Sequence, residues 1–243
     1  MPVEFSVAAY RFGHSMIRPV YRLNSFLDGR QLIFDHTNQH ENLVGFREFP
    51  EDWAIDWDLF FNPGGKPITG KDRIQKAYKI DTSLVDPLGH LPLSIAHTVP
   101  SLAERNLIRG QKMGLPSGQD VARFMGLTPI ADKDLKIGKA TEEGSGTNPT
   151  LVSKFPNFAN NAPLWYYILA EAQHFSFKGK DSDPIRLGPV GGGIVAEVFI
   201  GLLLGDSHSF LSLDPKWTPR AEFLKNKKFG IRQLIDEALK AKE

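Results

Sequence analysis

The chain has 243 residues, 41% of them apolar and 23% charged, with a formal net charge of +1. That length suits one large domain or two small ones with a real core, and so balanced a charge gives no field favouring nucleic acid or an anionic membrane. The absence of cysteine excludes disulfides, thiolate metal sites and cysteine nucleophiles.

Taken in chain order, the pattern is mainly helical, and the expectation is an all-α fold forming a single domain over 1–243. The N-terminus MPVEFSVAAYRFGH lacks a basic start followed by an apolar run, so no signal peptide is expected. The compartment, cytoplasmic or secreted, stays open. Val3 to Ile17 reads as a helix stopped by Pro19. Gln31–Phe34 and Val44–Phe46 suggest a strand pair or irregular segments. Residues 48–70 are aromatic-rich and broken by proline and glycine, as in a structured loop. Asp72–Leu84 and Ser94–Met113 are expected as helices, the second bent or started at Pro100. Ser117 opens a short helix, with Asp120 as a capping-box acid and Gly126 at its end. Residues 128–163, rich in Gly, Asn, Thr, Lys and Pro, read as a surface excursion. Leu164–Phe175 and Val190–Leu204 follow as buried helices. The second is short and carries Glu197, so a membrane span is not expected. A terminal amphipathic helix carries Ile231, Leu234, Ile235, Ala238 and Leu239, with a solvated basic face.

On a wheel of about 100° per residue, Phe5, Ala9, Phe12 and Met16 fall on one face of the first helix, and Val3, Val7, Tyr10, His14 and Ile17 on the other. A helix apolar on both sides needs a partner on each. His14, amid the second face, is compatible with a core histidine satisfied by a carbonyl, or with a metal or haem ligand.

Three blocks carry a family resemblance: AAYRFGHSMIRP, RNLIRGQKMGLPSGQDVARFMGL and LGPVGGGIVAEVFIGLLLGD. In this order they resemble the proximal, C-terminal half of animal-type haem peroxidases, the peroxidase–cyclooxygenase superfamily, over roughly Val3 to Pro219. The resemblance implies a haem-peroxidase-like helical domain, with haem as cofactor, and a protein that oxidises small donors with hydrogen peroxide and takes part in the response to oxidative stress. His14 matches the axial ligand of the iron. Asn106 matches the asparagine that accepts a hydrogen bond from the other imidazole nitrogen, fixing tautomer and ring orientation. Arg11 and Arg109 match arginines that contact a haem propionate, a task suited to planar guanidinium.

In the family, a distal histidine and arginine lie upstream of the proximal helix, with the calcium site and the residues that attach haem covalently. No residue here is expected to take those roles, and one face of the first helix is expected to need a second chain or second half. A non-catalytic haem-binding or structural remnant is therefore an alternative. The fatty-acid dioxygenase branch carries a radical tyrosine three residues before the axial histidine. Arg11 stands there instead, with Tyr10 one residue further back.

His36 and His40 have i, i+4 spacing in HTNQHE, but the order HExxH is absent and a loop is the simpler reading. Gly188, Gly191, Gly192 and Gly193 lack the strand and spacing of a phosphate loop and read as close helix packing. Trp53 and Trp57 read as a core-facing aromatic stripe or as the border of a ligand entrance.

Overall fold

The computed structural model describes residues 1–27, 31–33, 43, 48, 50–61, 74–140, 148–178, 186–214, 216–218, 220 and 230–240. It is mainly α-helical. Where the sequence was read as one domain, the contacts group into two compact units: residues 1–19 with 77–205, and residues 20–76 with 206–243.

The first unit is built around one helix. In chain order its helices are α1 (Asp86–Gly89), α2 (Leu93–Ala96), α3 (Leu102–Lys112), α4 (Gly118–Phe124), α5 (Leu151–Lys154), α6 (Leu164–Lys178) and α7 (Pro189–Gly205). From Leu164 to Gln173 only Tyr166 of α6 escapes full burial, because α3, α4, α7 and the N-terminal coil all pack against it. Gly118 allows the closest approach. A Cβ there would stand 2.0 Å from the Tyr167 ring, so only glycine lets α4 lie this near α6. Two glycines at the start of α7 serve the same purpose, since a Cβ on Gly188 would stand 2.3 Å from Glu171 and one on Gly191 would meet Ile168 at 2.6 Å.

The N-terminal coil departs from the expected α-helix. Glu4–Ala8 is a π-helical turn and Ala9–Met16 is a 3₁₀-helix, joined at Ala8 with φ −119° and ψ −70°. Ala8 and Ala9 are fully buried, and such small side chains let the coil press close to α6. Phe5, Ala9, Phe12 and Met16 meet the core, as the wheel implied. The spacing of the other residues changes, which matters at the site described below.

Several other expectations are corrected. Residues 74–84 are not helical. The Asp81 carboxylate accepts from the Ser83 N–H and hydroxyl and from the Ala140 N–H, while the Gly138 N–H donates to Thr82 Oγ1. Such side-chain bonds offer the backbone an alternative to a helix. The segment 94–113 divides into α2 and α3. His97 takes φ +56° between them, and Ser101, after Pro100, caps α3 by accepting from the Glu104 N–H. Ser117 caps α4 as expected, but its hydroxyl donates to Asp120 instead of leaving that acid to the backbone.

The described residues of this stretch, 128–140 and 148–163, are anchored in the core and do not form a surface excursion. Ile130, Leu135, Leu151 and Ala162 belong to the core. The strap satisfies its own backbone, the Leu151 N–H donating to the Leu135 carbonyl and the Ile137 N–H to that of Pro149. Its anchors are spaced too widely to show periodicity. Only the first half of α7 is buried; Phe199, Ile200, Leu202 and Leu204 are all at least half-exposed.

The second unit contains an antiparallel pair, β1 (Val20–Tyr21) and β2 (Gln31–Leu32), with Val20 opposite Leu32. Residues 44–46 lie outside the described residues. Trp53 ends one 3₁₀ turn (Glu51–Trp53) and is buried, whereas Trp57 begins another (Trp57–Leu59) and is largely exposed, so the two form no common stripe. Helices α8 (Phe210–Leu213) and α9 (Ile231–Lys240) complete the unit, α9 exposing Ile231 and Leu234.

Glu171, deep in α6, was not anticipated from sequence. Its carboxylate accepts from the N–H groups of Val190 and Gly191, the free donors at the start of α7. Burial pushes its pKa up from 4.5 to about 7, partly opposed by those two N–H groups. A raised carboxyl holds its proton in the folded state after the unfolded chain has released it. Stability from this group is therefore complete below pH 4.5 and is lost as pH rises through about 7. In Glu171→Gln, chemical denaturation is expected to show a shallower fall in unfolding free energy over that interval, the difference amounting to no more than about 3 kcal/mol. Identical pH slopes for the two proteins would contradict this.

Candidate functional site

The change of pitch in the first coil decides what accompanies His14. An α-helix separates i and i+3 by about 60°, but a 3₁₀-helix has about 3.0 residues per turn and eclipses them. Arg11 and His14 thus share one face. Across from it, α3 presents Asn106 and Arg109, also one turn apart. Two pairs from segments 92 residues apart are thereby opposed.

Asn106 is buried, and its side-chain amide lies 3.1 Å from His14 Nδ1. The amide has two orientations. In one, Nδ2–H donates to Nδ1, the imidazole proton sits on Nε2, and the buried Oδ1 has no partner. In the other, Nδ1–H donates to Oδ1 and the Nε2 lone pair is free. Only the second leaves His14 able to bind a metal through Nε2.

The electrostatics favour a neutral ring. The pKa of His14 is lowered, first by burial and then by the positive charges of Arg11 and Arg109. Arg11 is lowered too, by burial and by Arg109. Arg11 Nε donates to the Ser6 carbonyl at 3.1 Å. Among the described residues, neither its terminal nitrogens nor the Arg109 guanidinium meets an acceptor. Two guanidinium groups brought together without a carboxylate form a receptor for an anionic group.

Neighbouring contacts hold the coil in place. Trp165 Nε1 of α6 donates to the Arg11 carbonyl at 3.4 Å. The Ser15 hydroxyl donates to the Phe12 carbonyl, and the Tyr78 N–H donates to the Met16 carbonyl where the coil ends. A Cβ placed on Gly13 would meet nothing within 4 Å, so protein packing is not what requires glycine beside His14. Tyr10 is 61% exposed and rests on the ring of Phe5 at 5.0 Å.

All four residues singled out from the sequence, Arg11, His14, Asn106 and Arg109, therefore belong to one constellation. His36 and His40 lie outside the described residues. Trp165 was missed; nothing in the sequence distinguishes its indole from the other aromatic residues of α6. No family model matches the chain, and no curated protein is detectably similar to it.

The charges around His14 give a direct test. In Arg109→Gln, the His14 titration midpoint followed by NMR is expected to rise toward its ordinary 6.5. An unchanged or lower midpoint would contradict the electrostatic account.

Proposed function

We propose that the chain is a haem-dependent peroxidase homologue in which His14 holds the iron, matching the proximal half of a haem-peroxidase-like helical domain. The observation that carries this reading is the Asn106–His14 contact at 3.1 Å. It joins the two residues that the family resemblance pairs, although they stand far apart in sequence.

The fit to haem rests on three features. His14 is kept neutral, as a ligating imidazole must be. The buried Asn106 amide offers either Nδ2–H or, when turned, Oδ1 to His14 Nδ1, and the second orientation suits a ligating ring. Arg11 and Arg109 form a pair that no carboxylate among the described residues neutralises, suited to propionates. When bound, haem supplies the redox chemistry by which hydrogen peroxide oxidises a small donor.

The chain's own residues do the following. Asn106 retains the proton on Nδ1 and so directs the Nε2 lone pair outward. Its amide is neutral, leaving the ring less anionic than a carboxylate partner would. Arg11 and Arg109 bind carboxylates, and the Ser6 carbonyl restrains Arg11. Acid–base help to peroxide, worth about 10²–10⁴-fold, is assigned to none of the described residues. No calcium site is assigned to these residues.

The half-exposed apolar face of α7, with Phe199, Ile200, Leu202 and Leu204, favours a second reading. In it the chain is a non-catalytic haem-binding remnant that needs a covering partner. Arg11, at the position of the radical tyrosine, disfavours a fatty-acid dioxygenase.

Reconstitution with haem distinguishes these readings. The intact chain is expected to give a Soret band that His14→Ala abolishes or strongly shifts. Peroxide-dependent donor oxidation supports the enzyme, and a Soret band without turnover supports the remnant. No haem uptake, or uptake unaffected by His14→Ala, overturns both.

A further inference from the structure

Away from His14, a cleft of about 600 Å³ opens between the N-terminal residues, α4 and α7. Its volume lies within the range of small-molecule sites, about 300–1,000 Å³. Val121, Phe124, Met125, Ile194 and Val198 make its walls apolar. None of Arg11, His14, Asn106 and Arg109 lines it.

Charge at the cleft is one-sided. Glu4, Asp120 and Glu197 line it from three different elements, and no lysine, arginine or histidine among the described residues does. Asp120 is already engaged, one oxygen accepting from Arg123 Nη1 at 2.7 Å and the other from the Ser117 hydroxyl. Glu4 and Glu197 have no side-chain partner among the described residues. Phe124 is 93% exposed at the mouth, a large apolar cost to the free protein and a flat face on which an aryl or alkyl body can rest.

We infer that this cleft binds an amphiphilic organic cation: an apolar, aryl or alkyl body seated on Phe124, Ile194 and Val198, with an ammonium group between Glu4 and Glu197. The apolar walls exclude a small inorganic cation as the fitting occupant, and the carboxylates disfavour an anion. The site is independent of haem and stands or falls separately from the function proposed above.

The probe is (4-phenylbutyl)trimethylammonium, compared calorimetrically with 5-phenylpentan-1-ol and 5-phenylpentanoate. The cation is expected to bind saturably at one site, the alcohol more weakly and the carboxylate not at all. The double variant Glu4→Gln, Glu197→Gln is expected to weaken the cation about tenfold, and Phe124→Ala about fivefold. Both changes touch accessible side chains, so thermal melting should be preserved. His14→Ala should leave the affinity unchanged. Equal affinity for all three probes, no saturable binding of the cation, or an affinity unmoved by the double variant and by Phe124→Ala would overturn the assignment.

Discussion

A single hydrogen bond between the His14 ring and the Asn106 amide fixes the relation of the N-terminal coil to α3 at the site. Neither partner can be replaced by solvent without cost, because Asn106 is almost wholly buried and the ring is half-buried. Leaving a buried polar group unpaired costs about 1–3 kcal/mol. The bond also restricts chemistry. It couples the proton on one ring nitrogen to the lone pair on the other, and burial, then the adjoining arginines, discourage a second proton.

The supporting architecture explains how so irregular a coil can be held. Helix α6 is packed on nearly every side, and it touches the coil, α3, α4 and α7. Its Trp165 holds the Arg11 carbonyl and its Glu171 holds the start of α7. One rigid rod therefore organises both the imidazole side and the glycine-rich helix. The π-to-3₁₀ transition is part of this arrangement: π turns often occur at functional positions, and here the tighter coil that follows aligns Arg11 with His14.

Much of this was legible in the sequence where residue type alone dictates structure. Ser117 and Gly126 bracket α4 through capping chemistry, Gly126 taking φ +72°. The largely apolar stretch from Leu164 reads as a buried helix, and it forms one. Gly188 and Gly191 are packing devices, since a Cβ on either would run into Glu171 or Ile168 of α6, whereas one on Gly192 would make only ordinary contacts. Tertiary choices were hidden. A wheel cannot reveal that a coil has changed pitch: an α-helix would set Arg11 about 60° from His14, whereas the 3₁₀ pitch eclipses the two. The polar composition of 128–163 concealed Leu135 and Leu151, whose anchoring depends on the rest of the unit. Asp81 overrode helix propensity through bonds to distant backbone that no local pattern encodes. At the site, the four residue identities came from resemblance, while their convergence, the lack of a carboxylate on either guanidinium among the described residues and the role of Trp165 emerge only in the folded chain.

The protonation site of His14 tests the central claim most directly. Nitrogen-15 chemical shifts of the labelled imidazole, recorded in the intact chain above its titration midpoint, report which nitrogen carries hydrogen. The account predicts a proton on Nδ1, held by Asn106 Oδ1, with Nε2 bare. A ring protonated on Nε2, accepting at Nδ1 from the amide, would contradict it.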